Sequence, residues 1–171
     1  MLSFDEARFG LINWHKKRYR HLGERPRYTV QRKYEWSWLY AAVEPATGES
    51  FCLYLPSLDG HCFKVFLDQL SCTYREHHLV LVMDNAPAHL THSLALPGNI
   101  SLLPLPPYSP ELNPVERWFL EFRRRLANLC FTSIEALHDV LTEVLEGYWV
   151  APDKLKQLTN FPWWRQAVEQ L

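Results

Sequence analysis

The sequence lacks any apolar run long enough to cross a membrane. Its longest candidates, Leu79 to Met83 and Ile100 to Leu103, are far shorter than the ~20 residues that a membrane-spanning helix requires. The N-terminus also lacks the basic-then-apolar order of a signal peptide. We therefore expect a soluble cytoplasmic protein with no membrane partner.

Cysteine is scarce and badly spaced for metal binding. The four cysteines, at positions 52, 62, 72 and 130, have none of the two-residue spacings that zinc sites or thioredoxin-like motifs need. The histidines likewise lack a ligand-like spacing, so zinc is not implied. We expect four buried thiols that behave as small core residues.

The sequence also lacks a large excess of either charge, since the net charge is −1. The charge is nevertheless segregated: residues 1–33 carry nine Lys/Arg against three acids, net +6, which leaves −7 for residues 34–171. The basic segment 14–33 interleaves cations with aromatic residues, a pattern typical of surfaces that contact nucleic acid. A solvated basic loop is the alternative. The DNA-binding candidates here are Lys16, Lys17, Arg18 and Arg20.

What is present is apolar material for one core, because 47% of the residues are hydrophobic and 14% are aromatic. Alternation, apolar runs and helical spacing predict an α/β domain with a mixed sheet. The predicted strands are 2–4, 9–12, 36–43, 51–55, 79–83 and 100–103, with Asp5 and Glu6 interrupting the first two. The predicted helices are 61–74, one that starts after Asn113, and 134–148.

Three carboxylates stand out by position. Asp84 closes a buried strand, where α/β proteins bind ligands, although a turn-forming Asp is the alternative. Asp5 follows the first predicted strand in the same way. Glu116 comes third after Asn113, with Pro114 between them, and this order predicts a helix capped by Asn113 and Glu116. A capping Glu at a rigid helix start is also pre-organised for metal binding.

The stretches 81–89 and 105–116 resemble the catalytic core of the mariner superfamily of transposases, in particular its bacterial insertion-sequence branch. The second stretch, with its closely spaced prolines and the order Asn-Pro-Val-Glu, is the more specific one. With residues 4–9 upstream, three acids occur in the family's order, separated by 78 and 31 residues. The resemblance extends over roughly residues 2 to 148.

This resemblance implies an RNase H-like fold, a mixed five-stranded sheet flanked by helices. It implies that Asp5, Asp84 and Glu116 are catalytic and hold two Mg²⁺ or Mn²⁺ ions. Carboxylates about 5 Å apart repel by roughly 3 kcal/mol per pair at an effective dielectric near 20, so such a site attracts divalent cations. The implied activity is metal-dependent cleavage and strand transfer of DNA at transposon ends, with transposon-end and target DNA as partners. We expect a homodimer in the active complex.

Other residues are assigned supporting parts. Asn85 and His89 belong to the same family motif and are expected near the metals or the scissile phosphate, although His89 packing its own loop is the alternative. Glu6 is expected in a supporting place, on the other side of the strand from Asp5 if the strand continues. Arg123 and Arg124 are expected to meet DNA phosphates, with a solvated helix face as the alternative.

The predicted organisation is a catalytic domain over residues 1–150 and a C-terminal helical tail over 151–171. The helix-turn-helix region that precedes the first catalytic strand in this family is expected to be absent. Two other functions stay open: an RNase H-like nuclease that acts on another nucleic acid, and a non-catalytic relic that binds DNA or a full-length partner. The presence of all three acids argues against the relic.

Overall fold

Five strands form one mixed sheet with β1 at its centre. The computed structural model describes residues 1–17, 19–25, 27, 29–86 and 95–170. The strands are β1 Leu2–Ile12, β2 Arg32–Val43, β3 Ser50–Leu55, β4 Leu79–Met83 and β5 Ile100–Pro104. Their order in the sheet is β3-β2-β1-β4-β5, with β1, β4 and β5 mutually parallel and β2 antiparallel to both neighbours. The predicted mixed five-stranded sheet is confirmed.

Helices cover both faces of this sheet. They are α1 Gly60–Thr73, α2 Val115–Leu126, α3 Ile134–Trp149, α4 Pro152–Thr159 and α5 Pro162–Val168, and a single 3₁₀ turn spans Pro110–Leu112. One core contains α1, and the core on the opposite face contains α2, α3 and α4. Ser133 caps α3, since its hydroxyl accepts the amide hydrogen of Ala136 at 3.3 Å.

β1 separates the two cores by strict alternation of its side chains. Phe4 packs against Phe66 on the α1 face, with ring centroids 4.8 Å apart, whereas Phe9 meets Phe122 of α2 on the other face. The predicted break at Asp5 and Glu6 is wrong, because β1 continues through both residues and pairs them with β2. Pairing with β2 overrides the local polar pattern, and the two acids therefore face opposite sides of the sheet.

The C-terminal helices pack on the same body as the sheet. Leu155 of α4 and Trp164 of α5 are buried, and Leu155 belongs to the core of α2 and α3. Gly48, in the turn between β2 and β3, has a φ of +81°, and a Cβ there would lie 2.1 Å from the carbonyl oxygen of Pro152. The start of α4 therefore rests directly on that turn.

The cysteine prediction is only partly correct. All four thiols are free, and Cys62 is buried, but Cys72 and Cys130 are exposed. Cys72 lies off the buried stripe of α1, and Cys130 lies in the connection between α2 and α3. Among the described residues, no helix is both long and apolar enough to cross a membrane.

Candidate active site

The three acids singled out in the sequence line one cavity of about 460 Å³. Asp84 follows the last residue of β4, Glu116 lies in the first turn of α2, and Asp5 projects from β1 on the face that α2 covers. The proline-rich segment 105–110 after β5 forms another wall. The cavity thus lies beyond the carboxyl ends of the parallel strands β4 and β5, as expected for a ligand site in an α/β sheet.

The carboxyl group of Asp5 is strongly perturbed by its surroundings. Burial, followed by the negative charges of Glu116, Glu6 and Asp84, raises the pKa of Asp5 to about 8. The backbone amide of Glu6 donates to Asp5 Oδ1 at 2.8 Å and opposes this rise. Because like charges crowd a partly buried carboxylate, the cavity favours either a bound proton or a bound cation.

Glu116 reaches the cavity by a different local structure from the one predicted. α2 begins at Val115, and no side chain of Pro114 or Asn113 caps it. Instead the hydroxyl of Ser3 accepts the amide hydrogen of Val115 at 3.2 Å. The amide of Asn113 points to β1 and donates to the carbonyl oxygen of Phe4 at 2.9 Å. The capping prediction is therefore wrong, because contacts with β1 replace the local cap.

The other predicted site residues are divided between the two faces of the sheet. Asp84 Oδ1 accepts the amide hydrogen of Ala86 at 3.1 Å, so Asp84 both shapes its turn and lines the cavity. Asn85 also lines the cavity and donates to the carbonyl oxygen of Leu105 at 2.7 Å. Glu6 faces the α1 side, where its charge, after burial, raises the pKa of Tyr40. His89 lies outside the described residues.

The donor set suits a hard divalent cation. Three carboxylates supply only oxygen ligands, which Mg²⁺ and Mn²⁺ prefer, and the raised pKa of Asp5 reflects its burial first and its negative neighbours second. In the part of the chain that the structure describes, however, no three His, Cys, Asp or Glu side chains are gathered closely enough to hold a metal ion as they stand. The three acids therefore fit a divalent cation by the chemistry of their oxygen atoms and by lining the same cavity.

The basic segment is exposed and anchored at its start. Lys16, Lys17 and Arg20 are exposed, and Arg18 lies outside the described residues. The backbone amide of Lys16 donates to Asn128 Oδ1 at 3.1 Å, and the amide of Asn128 donates to the carbonyl oxygen of Trp14 at 2.7 Å. Asn128 thus ties this segment to the end of α2, a long-range contact with no sequence signal.

The two arginines of α2 are differently engaged. The guanidinium of Arg123 lies over the ring of Trp14, 5.3 Å from its centroid, and Arg124 forms an ion pair with Glu121 on the same helix. Arg123 therefore packs against the base of the basic segment, and Arg124 stays on the exposed surface of α2.

Sequence reasoning missed an aromatic surface beside the basic segment. β1 and β2 extend beyond the other strands, and the guanidinium of Arg8 lies 5.4 Å from the centroid of Trp36 and 6.0 Å from that of Trp38. These side chains share one face because Arg8 pairs with Trp38 and Gly10 with Trp36. Only the register of the two strands brings them together, and the alternation of Trp36 and Trp38 is the sequence signal for it.

The comparison with known families identifies the class of the protein. The family model of the DDE superfamily endonucleases matches residues 1–138. The chain belongs to this family, and the three acids of the cavity lie within the matched residues. The nuclease class that the resemblance to the mariner transposases implies is thereby confirmed.

Individual relatives agree with the family. The uncharacterized protein y4pE/y4sA of Sinorhizobium fredii (strain NBRC 101917 / NGR234) is 32% identical over 130 residues, which cover 75% of this chain and 89% of that protein. The Mos1 strand transfer complex matches with a TM-score of 0.66 and 22% identity over 91% of this chain. The Mos1 mariner paired end complex with Mn matches with a TM-score of 0.67 and 21% identity over 93%.

The Mos1 matches concern the fold. The predicted RNase H-like fold is confirmed, since these transposase structures share the arrangement of strands and helices over nearly all of this chain. The chain spans about half the length of the Mos1 chains, 51% and 53%.

Proposed function

We propose that this chain is a transposase catalytic domain that cuts DNA phosphodiester bonds at transposon ends and transfers the strands. The observation that carries the proposal is the single cavity lined by Asp5, Asp84 and Glu116, within a chain of the DDE endonuclease family. Crystal structures with the same fold include Mos1 complexes of strand transfer and of paired ends, one of them with Mn.

In this proposal Asp5, Asp84 and Glu116 hold two Mg²⁺ or Mn²⁺ ions. When bound, such ions activate the attacking hydroxyl or water and stabilise the leaving oxygen of a phosphodiester. The protein supplies a fixed set of oxygen ligands. Asp5 can enter this set only after it loses its proton. Burial raises its pKa most, and the negative neighbours that raise it further are the same charges that attract the cation.

The rest of the chain would hold the DNA. The basic segment supplies positive charge for phosphates through Lys16, Lys17, Arg18 and Arg20. The neighbouring aromatic surface consists of Arg8, Trp36 and Trp38, of which Arg8 and Trp36 are exposed to solvent. Arg124 offers a further exposed cation on α2, and Arg123 fixes the base of the basic segment through Trp14. Asn85 links the ends of β4 and β5 and so shapes the cavity that receives the scissile phosphate.

Several finer parts of the proposal extend beyond the family match. Its predicted partners are transposon-end and target DNA, and its predicted assembly is a homodimer in the active complex. Its predicted origin is the bacterial insertion-sequence branch. The cytoplasmic location, the supporting part of His89 and the division into residues 1–150 and 151–171 also stay predictions.

A cleavage assay tests the proposal. Supercoiled DNA is incubated with the wild-type protein in Mg²⁺, in Mn²⁺ and in chelator, beside Asp5→Asn, Asp84→Asn and Glu116→Gln. We expect metal-dependent strand cleavage that each variant reduces at least about 1,000-fold, because each removes a metal ligand. Asp153→Asn and Glu143→Gln, exposed acids on α4 and α3, are matched controls and should cut normally.

Two outcomes would contradict the assignment. Normal cleavage by any of the three variants removes that residue from the ligand set. If Asp5→Asn cuts normally and Glu6→Gln does not, the first ligand is Glu6. Preferential cleavage of an RNA–DNA hybrid or of branched DNA would instead favour an RNase H-like nuclease with another substrate.

A further inference from the structure

Asn113 joins the segment that carries Glu116 to the strand that carries Asp5. Its side chain is 3% exposed. Its amide nitrogen donates to the carbonyl oxygen of Phe4 at 2.9 Å and, over a longer distance, to Asp5 Oδ2 at 3.4 Å. Its amide oxygen accepts a hydrogen bond from the hydroxyl of Ser3. One buried amide therefore contacts three consecutive residues of β1, about 110 positions away in the chain.

Ser3 completes the connection from the side of the strand. It is fully buried, and its hydroxyl, besides donating to Asn113, accepts the amide hydrogen of Val115 at 3.2 Å. The carbonyl oxygen of Asn113 in turn accepts the amide hydrogen of Glu116 at 3.2 Å. The first turn of α2 is thus fixed to β1 by its backbone, and Glu116 is fixed with it.

The site needs such a connection because its carboxylates repel one another. Asp5 and Glu116 lie on separate elements, so repulsion could separate them before a cation arrives. Asn113 and the amide of Glu6 each donate to one oxygen of Asp5, which fixes the carboxylate plane. Each oxygen keeps a further lone pair for a ligand. A neutral amide holds the carboxylate and leaves its negative charge in place. A lysine or arginine in the same position would neutralise that charge.

We propose that Asn113, oriented by Ser3, is a positioning residue that sets the place of Asp5 relative to Glu116. This inference rests on the function proposed above for the two carboxylates. Groups that orient metal ligands through hydrogen bonds typically change metal affinity or activity by about 10–100-fold when they are removed. The connection also explains why Asn113 does not cap α2: its side chain is committed to β1.

The test measures Mn²⁺ binding by the shift of the melting temperature, titrated from chelator to saturating Mn²⁺. In Asn113→Ala and Ser3→Ala we expect the half-saturating Mn²⁺ concentration to rise, by roughly tenfold or more in Asn113→Ala. Ser37→Ala is the matched control, because it removes a buried strand hydroxyl bonded to Leu55 outside the cavity. Its half-saturating concentration should equal that of the wild type.

The outcomes separate this inference from the proposed function. If the wild type responds to Mn²⁺ and both variants keep its half-saturating concentration while melting lower in chelator, Ser3 and Asn113 are merely structural and the inference is overturned. If Asn113→Ala does not fold, Ser3→Ala decides alone. A wild type that neither shifts with Mn²⁺ nor cuts DNA overturns the proposed function, and the inference with it.

Discussion

The position of Asp5 favours cation binding and destabilises the metal-free protein. It lies in the central strand of the sheet, partly buried, with Glu116 and Asp84 on the same cavity and Glu6 as its chain neighbour. Folding therefore places this carboxyl where its charged form is unfavourable unless a cation is present. The residue is disposed for ligand binding at the expense of the stability of the metal-free protein.

We expect the metal-free protein to lose stability as pH rises, and Asp5→Asn to reduce this loss. The pKa of Asp5 is about 8 in the folded protein against an ordinary value of 3.8. Between these values the folded state binds a proton that the unfolded state lacks, so stability falls from about pH 4 to about pH 8, at up to roughly 1.4 kcal/mol per pH unit. Urea unfolding in chelator at pH 5, 6.5 and 8 measures the slope for both proteins. Parallel slopes would show that Asp5 titrates normally.

At this scale the sequence was informative wherever a motif carried the chemistry. The order of Asp5, Asp84 and Glu116 within recognisable stretches was enough to predict that they share a site. Asn113 was misassigned because capping rules consider only the next few residues, whereas its partners Ser3 and Phe4 lie at the other end of the matched region. The exposed thiols of Cys72 and Cys130 were missed because residue type alone fixes neither the face of a helix, as for Cys72, nor the exposure of a connecting segment, as for Cys130.

The elements themselves followed closely from periodicity. Apolar spacing predicted α1, α2 and α3 to within a few residues, and the predicted strands 36–43 and 51–55 correspond to β2 and β3. β1 was predicted as two pieces, because a polar pair inside a strand has no apolar alternation to reveal it. The pairing with β2, which runs through both acids, makes the strand continuous.

The basic segment between β1 and β2 should provide non-specific DNA affinity. Charge reversal of Lys16, Lys17 and Arg18 to Glu should lower the salt dependence of binding, since log K changes with a slope of roughly −0.9 per phosphate neutralised. Fluorescence anisotropy of a labelled duplex over a range of salt concentrations measures the slope. Reversal of Lys154 and Lys156, exposed on α4, is the control. An unchanged slope in the first variant would identify the segment as a solvated loop.

The contact between α4 and the β2–β3 turn should be sensitive to one methyl group. Gly48→Ala combines a φ of +81° with a Cβ only 2.1 Å from the carbonyl oxygen of Pro152. We expect a loss of at least about 2 kcal/mol, or roughly 4–8 °C in melting temperature. Gly98→Ala is the control, because no atom lies within 4 Å of its Cβ. Equal melting of the two variants would mean that α4 is not seated on the turn.

For the whole molecule, metal binding and folding should be linked through the cavity. Because the three carboxylates repel when no cation is present, Mn²⁺ should bind the folded state preferentially and add about 2.7 kcal/mol at a hundredfold excess over its dissociation constant. Asp84→Asn keeps an oxygen acceptor for the amide of Ala86 but removes one charge. In chelator it should therefore melt no lower than the wild type, and its response to Mn²⁺ should be smaller.

Thermal melts of both proteins in chelator and in Mn²⁺ provide the measurement, with Asp153→Asn as an acid removed far from the cavity. Lower stability of Asp84→Asn in chelator together with a full Mn²⁺ shift would identify Asp84 as a structural turn residue only. Function and metal-free stability would then be independent at this position.

The long connection from Ser3 to Asn113 also orders events in time. As the polypeptide leaves the ribosome, β1 emerges with Asp5 before the rest of this domain, but its buried partner Asn113 follows 108 residues later, with Glu116 just behind it. The central strand cannot acquire its neighbour β4, nor α2 its anchor, until most of the domain has been synthesised. A chain that has not yet been extended to Glu116 therefore lacks the complete set of acids of the proposed site.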